Sequence, residues 1–180
     1  MTVLTIILKL LTFPGAYMKG FFEQVNCKIC GCLVESDGYL RMDAACGHVD
    51  HTPADKKGKA FLIAVLPGTF TFLFGLIFWL SGLEALTLLR VRATDSLPMF
   101  VIYVVLAYLG FSFLNNVFPM PEDAHNNWDL LYGKESNANM AAKVLLFIPS
   151  ALNMAGAYLE KFGINFLLLA AATAAAFVLL

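Results

Sequence analysis

Apolar residues run almost unbroken through five stretches of this 180-residue chain, 2–22, 60–83, 98–114, 141–158 and 164–180, with polar residues gathered mainly at 23–59 and 121–133. A membrane-crossing helix needs about 20 predominantly apolar residues to span roughly 30 Å of hydrocarbon. The pattern therefore predicts four or five transmembrane helices. Lys9 and Pro14-Gly15 interrupt the first stretch, and Pro149 and Asn153 interrupt the fourth, which leaves a re-entrant or interfacial helix open for 141–158. Within 23–59, Ser36-Asp37-Gly38 is a turn signal. Tyr39–Met42 and Gly47–His51 beyond it read as short strands of a small hairpin lying against the membrane. Pro121 opens a short interfacial helix over about 121–133, with Trp128 and Tyr132 four apart as its anchors. The expected architecture is an all-α polytopic membrane protein, one membrane domain over 1–180, with a small cytoplasmic β-hairpin.

Composition strengthens this reading. The chain is 59% apolar and 14% charged, where a soluble domain carries about 25% charged residues, so the excess apolar surface calls for lipid as solvent. Its net charge of −1 supplies no basic field, which excludes nucleic acid as a partner. A cleavable leader is not expected, because the start MTVLTI has no basic residue and the apolar run leads straight into FPGAYMKGFFEQ. With alternating spans, Lys28, Arg41, Lys56, Lys57, Lys59, Lys134 and Lys143 share one side, against Arg90, Arg92 and Lys161 on the other. The positive-inside rule then places the 23–59 segment in the cytoplasm.

Ionisable groups beside hydrocarbon are costly unless paired, so each invites a function. Lys19 and Glu23 fall four apart on one predicted helix face. Cys27, Cys30 and Cys32, followed by Cys46, His48 and His51, form C-x-x-C-x-C and C-x-H-x-x-H phrases from which a structural zinc site could be drawn. Asn115, Asn116 and His125 are candidates for a polar second layer or a partner contact, and Ser112, Asn115, Asn153 and Asn165 are the polar residues available to line a path.

Three phrases carry a resemblance. FPGAYMKGFFEQVNCKICGCLV at 13–34 resembles the first core helix of the site-2-protease-like intramembrane zinc metallopeptidases, where FPG-x-x-x-H-E-x-x-H supplies two zinc-binding histidines and a glutamate base. GYLRMDAACGHVDHTP at 38–53 is similar to the hairpin that follows in small members of that family. GFSFLNNVFPMPEDAHNNW at 110–128 is similar to the end of their third core helix, where FPS-x-x-D-A presents an aspartate to zinc. The resemblance implies a three-helix core over Phe13 to about Leu146. It also places Lys19 where the first histidine belongs, Gly20 where the base belongs and Glu23 where the second histidine belongs, with Asp123 alone kept.

A protonated lysine cannot ligate zinc and glycine cannot act as base. The expectation is a pseudoprotease without cofactor, in which the Lys19 ammonium lies between Glu23 and Asp123 where zinc would have been, and which binds a transmembrane partner or assembles with itself among the membrane lipids. Two alternatives stand beside it. One is an intramembrane zinc metallopeptidase with an unusual ligand set, Glu23 and Asp123 with His48 or His51. The other is a small channel or transporter.

Overall fold

The computed structural model describes residues 3–36, 47–54 and 56–180, which form seven helices and a two-stranded sheet. The first apolar stretch is not one helix. It divides into α1 (Val3–Leu11) and α2 (Phe13–Cys30) at Thr12. Pro14 explains the break: it has no N–H to donate to the preceding turn, its ring excludes the carbonyl four residues back, and its fixed φ suits the first turn of a new helix. α2 also outruns the expected span by two turns. Gly31 ends it at φ 69°, with Gly31 N–H bonded to Lys28 O and Cys32 N–H to Cys27 O, the paired bonds of a left-handed cap.

The remaining helices follow the apolar pattern closely: α3 (Lys57–Thr87), α4 (Leu97–Leu114), α5 (Pro121–Tyr132), α6 (Met140–Lys161) and α7 (Ile164–Leu179). α3, α4 and α6 are each long and apolar enough to cross a membrane, and α7 is a shorter apolar helix. Strands β1 (Val34–Ser36) and β2 (Asp50–His51) pair antiparallel, Val34 opposite His51 and Ser36 opposite Asp50 with a bulge between. The turn at 37–38, the strand read at 39–42 and Cys46 lie outside the described residues.

Close helix approach comes from small residues. A Cβ on Gly110 of α4 would stand 2.1 Å from the Trp79 backbone nitrogen, and one on Gly82 of α3 would stand 2.5 Å from that of Ala107. Neither backbone can yield locally, so α3 and α4 pack this tightly only with glycine at both positions.

α2 is built inside out relative to a helix of a water-soluble protein. Phe13, Tyr17, Phe21, Val25 and Ile29, spaced by four, form an exposed apolar stripe, while Lys19, Glu23 and Asn26 face the interior. This distribution suits lipid outside and a polar site inside. The junction of α1 and α2 is held by the end of α4. Asn116, fully buried, donates from Nδ2 to Thr12 O, Thr12 Oγ1 and Ser112 O, and Asn115 Nδ2 also donates to Thr12 Oγ1. α5 is tied to α6 through Asn127 Nδ2 to Ser150 Oγ at 3.1 Å and through the adjoining, mutually tilted Trp128 and Tyr132 rings against Phe147.

Candidate metal centre

Three separate elements bring their polar groups to one point. Glu23 reaches it from the buried face of α2, and Asp123 from the first turn of α5, where Pro121 starts the helix. The third element is the 47–54 segment, which carries His48 and, in β2, His51. Gly47 makes this possible. Its φ is 79°, and a Cβ there would lie 2.8 Å from Ala16 O, so the chain turns directly against the α2 backbone and inserts His48 and the fully buried Val49 beneath it.

His48 Nδ1 lies 2.6 Å from Glu23 Oε1 and 3.8 Å from Asp123 Oδ2. His51 Nε2 lies 3.4 Å from Asp123 Oδ1 and 3.8 Å from Glu23 Oε1. The ligating atoms of Glu23, His48 and Asp123 all fall within 4.8 Å of one another. Donors placed tetrahedrally at about 2.0–2.1 Å from zinc stand about 3.3 Å apart, and these separations bracket that spacing. His51 is oriented as a ligand would be. Its Nδ1 lies 2.9 Å from Thr52 O; a carbonyl only accepts, so Nδ1 carries the hydrogen and the neutral ring turns the Nε2 lone pair toward the two carboxylates.

The decisive feature is what these atoms lack. Glu23 Oε1, His48 Nδ1 and His51 Nε2 are buried and have no hydrogen-bond partner of acceptable geometry, close as they are. A buried polar atom left unpaired costs about 1–3 kcal/mol. Three such atoms converging beside the Asp123 carboxylate fit a divalent cation that accepts every lone pair at once. Imidazole nitrogen with carboxylate oxygen suits zinc, iron(II), manganese(II) or cobalt(II).

In the metal-free protein the same crowding favours protons on the rings. Burial disfavours the His48 cation, but the close contact and charge of Glu23, helped by Asp123, outweigh it and raise the pKa above the ordinary imidazole value. The Asp123 carboxylate, with Cys27 and Thr52 O adding to it, pushes His51 up to about 12 against a smaller burial effect.

Lys19 does not lie between Glu23 and Asp123 as the sequence led us to expect. Its ammonium donates to Phe118 O, and its ion pair is with Glu160 Oε1 at 3.6 Å. Glu160, in the last turn of α6, also pairs with Lys9 of α1 and accepts from Phe118 N–H at 3.0 Å; Lys9 donates in turn to Asn116 Oδ1 at 2.7 Å. The long lysine side chain, rooted one helical turn before Glu23, reaches the α4–α5 link and the end of α6 instead. Sequence reasoning passed over Glu160. The available signal was a carboxylate in an apolar helix, which hydrocarbon makes expensive without a cation beside it. Gly20 is buried on the same face of α2.

The other candidates separate. Cys27 is fully buried beside His51, whereas Cys30 bonds Asn26 Oδ1 at 3.8 Å and Cys32 packs at the edge of the small apolar core around Cys27, Ala60 and Ile63. Among the described residues the cluster able to hold a metal is thus carboxylate and imidazole, and no cysteine joins it. Asn115 and Asn116 serve the α1–α2 junction, and His125 is exposed with Nε2 2.8 Å from Tyr158 Oη. Ser112 accepts from Gly15 N–H, Asn153 donates to Ala64 O and Asn165 to Leu114 O, so each of these polar groups joins two helices. No known protein family matches the chain, and no curated protein or solved structure is similar to it.

Proposed function

We propose that this chain is an integral membrane metalloprotein in which Glu23, His48 and Asp123, with His51 beside them, hold a divalent transition metal, zinc fitting best. The observation that carries the reading is the convergence of three buried ligating atoms, crowded together without hydrogen-bond geometry, from α2 and the 47–54 segment on one point beside Asp123. The polar segment lies on the cytoplasmic side, by its lysine and arginine excess. The resemblance to site-2-protease-like enzymes is kept as part of the proposal, with one change: the cation survives through a new ligand set and the peptidase chemistry does not.

In such enzymes a metal acidifies a bound water and polarises a carbonyl. That chemistry also needs a base next to the metal. Gly20 stands at the position the resemblance assigns to the base, and Lys19 is engaged with Phe118 O and Glu160. The protein therefore works as a non-catalytic binding subunit for a transmembrane partner or a second copy, its metal clamping the 47–54 segment onto α2 and α5.

The experiment is elemental analysis of the full chain purified from membranes, together with Glu23→Gln and His48→Ala. One transition metal per chain, lost in both variants while the protein remains folded, is expected. Metal-free wild type after incubation with zinc, cobalt(II), manganese(II) and iron(II) would overturn the proposal. Metal-dependent, chelator-sensitive cleavage of a membrane peptide would overturn its non-catalytic half and restore the peptidase reading.

A further inference from the structure

The centre is closed unevenly. His48 and His51 cover it from the 47–54 side, whereas Glu23 and Asp123 also border a small cavity that neither histidine lines, its other walls including Lys19, Pro67, Gly68, Val117 and Pro119. The cavity holds about one water-sized group. The two carboxylates and the lysine are the charged groups lining it. Val117 and Gly68 are in close contact, since a Cβ on Gly68 would stand 2.1 Å from Val117 O, so this wall is tightly packed and offers no metal-ligating side chain of its own.

Electrostatics fixes the sign of what fits there. A divalent ion neutralises Glu23 and Asp123. The Lys19 ammonium is buried, and its acidic partner Glu160 is shared with Lys9, so Glu160 offsets Lys19 only in part. A neutral occupant between a metal ion and an ammonium leaves that positive field uncompensated in a low-dielectric interior, whereas a monoanion compensates it and takes a charge-assisted hydrogen bond from the lysine. Phe118 O and Glu160 hold Lys19 in place, so little side-chain freedom remains to be lost on binding.

We infer that the metal takes a compact monoanion as an exogenous ligand in this cavity, coordinated on one side and held by Lys19 on the other. The inference rests on the metal reading of the previous subsection. It turns Lys19 from a replacement for the ion into a recognition group for what binds the ion.

The test is fluoride titration of the cobalt(II)-loaded full chain in detergent, read by the visible absorption of cobalt, with metal content measured in the same samples; fluoride is a monoanion of about the size of the water the cavity admits. Fluoride is expected to change the wild-type spectrum saturably. Lys19→Met should weaken fluoride binding roughly tenfold or more, the loss of one hydrogen bond from a charged donor, with the metal content unchanged. Lys19→Arg, which keeps the charge, should recover most of the affinity and separates recognition from a folding defect. A cobalt-loaded wild type whose spectrum ignores fluoride, or a Lys19→Met protein that binds fluoride as tightly as wild type, overturns the anion site while leaving the metal centre standing. Failure of wild type to take up cobalt overturns the metal reading itself.

Discussion

Replacing His48 by alanine removes one nitrogen donor and leaves the rest of the cluster in place. In the metal-free protein His48 Nδ1 stands 2.6 Å from Glu23 Oε1 and His51 Nε2 3.4 Å from Asp123 Oδ1, in a domain whose total stability is on the order of 5–15 kcal/mol. Metal at about 100 times its Kd adds about 2.7 kcal/mol. A chain of this size shifts its Tm by about 2–4 °C per kcal/mol, so zinc or cobalt(II) should raise wild-type Tm by roughly 5–11 °C. Outer-shell changes alone weaken metal sites about 10–100-fold, and losing a direct ligand costs at least the upper end of that. At the same metal concentration a site weakened about 100-fold is half filled and keeps only about 0.4 kcal/mol, a shift of about 1 °C. Thermal unfolding of the detergent-solubilised full chain, followed by fluorescence of Trp79 and of Trp128, whose ring lies 4.6 Å from Tyr132, measures both numbers. Equal metal-dependent shifts in His48→Ala and wild type would refute the ligand assignment.

The metal-free and metal-loaded proteins should also answer pH in opposite directions. The raised pKa values of His48 and His51 mean that the metal-free native state holds protons the unfolded chain releases, so its histidine stabilisation is complete below about pH 6.5 and is lost as pH rises through the folded values. With metal bound both rings are deprotonated in the native state, and stability should instead rise with pH through about 6.5. Tm values from about pH 6 to 9, with and without chelator, check the pair of slopes, and parallel slopes contradict the site. Glu160→Gln leaves the Lys9 and Lys19 ammonium groups buried without their shared carboxylate. It should cost about 3–5 kcal/mol in urea unfolding, with an unchanged midpoint denying the network any structural weight. Gly110→Ala places a methyl group 2.1 Å from the Trp79 backbone nitrogen. A loss of about 1–3 kcal/mol is expected from overpacking, and a fully stable variant would mean that α3 and α4 are not in such close contact.

Much of the fold could be read from the order of residues because an apolar run long enough to cross a membrane has few alternatives to a helix. Hence α3, α4, α6 and α7 match their stretches, and Pro121 marks α5. The first stretch was misjudged as one span, since hydropathy counts apolar residues without weighing what Pro14 does to the hydrogen bonds around it. The site was legible only in parts. Glu23 and Asp123 with His48 or His51 stood as an alternative ligand set beside the Lys19 reading, and the order of residues could not decide between the two, because the deciding step is Gly47 turning the chain under α2 at Ala16. Lys19 looked like a partner for Glu23 because they share a helix face. Proximity along a helix does not determine where a flexible four-carbon arm ends, and the competing acid, Glu160, is 141 residues away in the chain.

X-ray absorption at the zinc edge of the zinc-loaded full chain examines the centre most directly. A first shell of nitrogen and oxygen at about 2.0–2.1 Å, with the outer-shell scattering of imidazole and no sulfur at about 2.3 Å, is the predicted result. Sulfur in that shell would hand the metal to the cysteines and contradict the account.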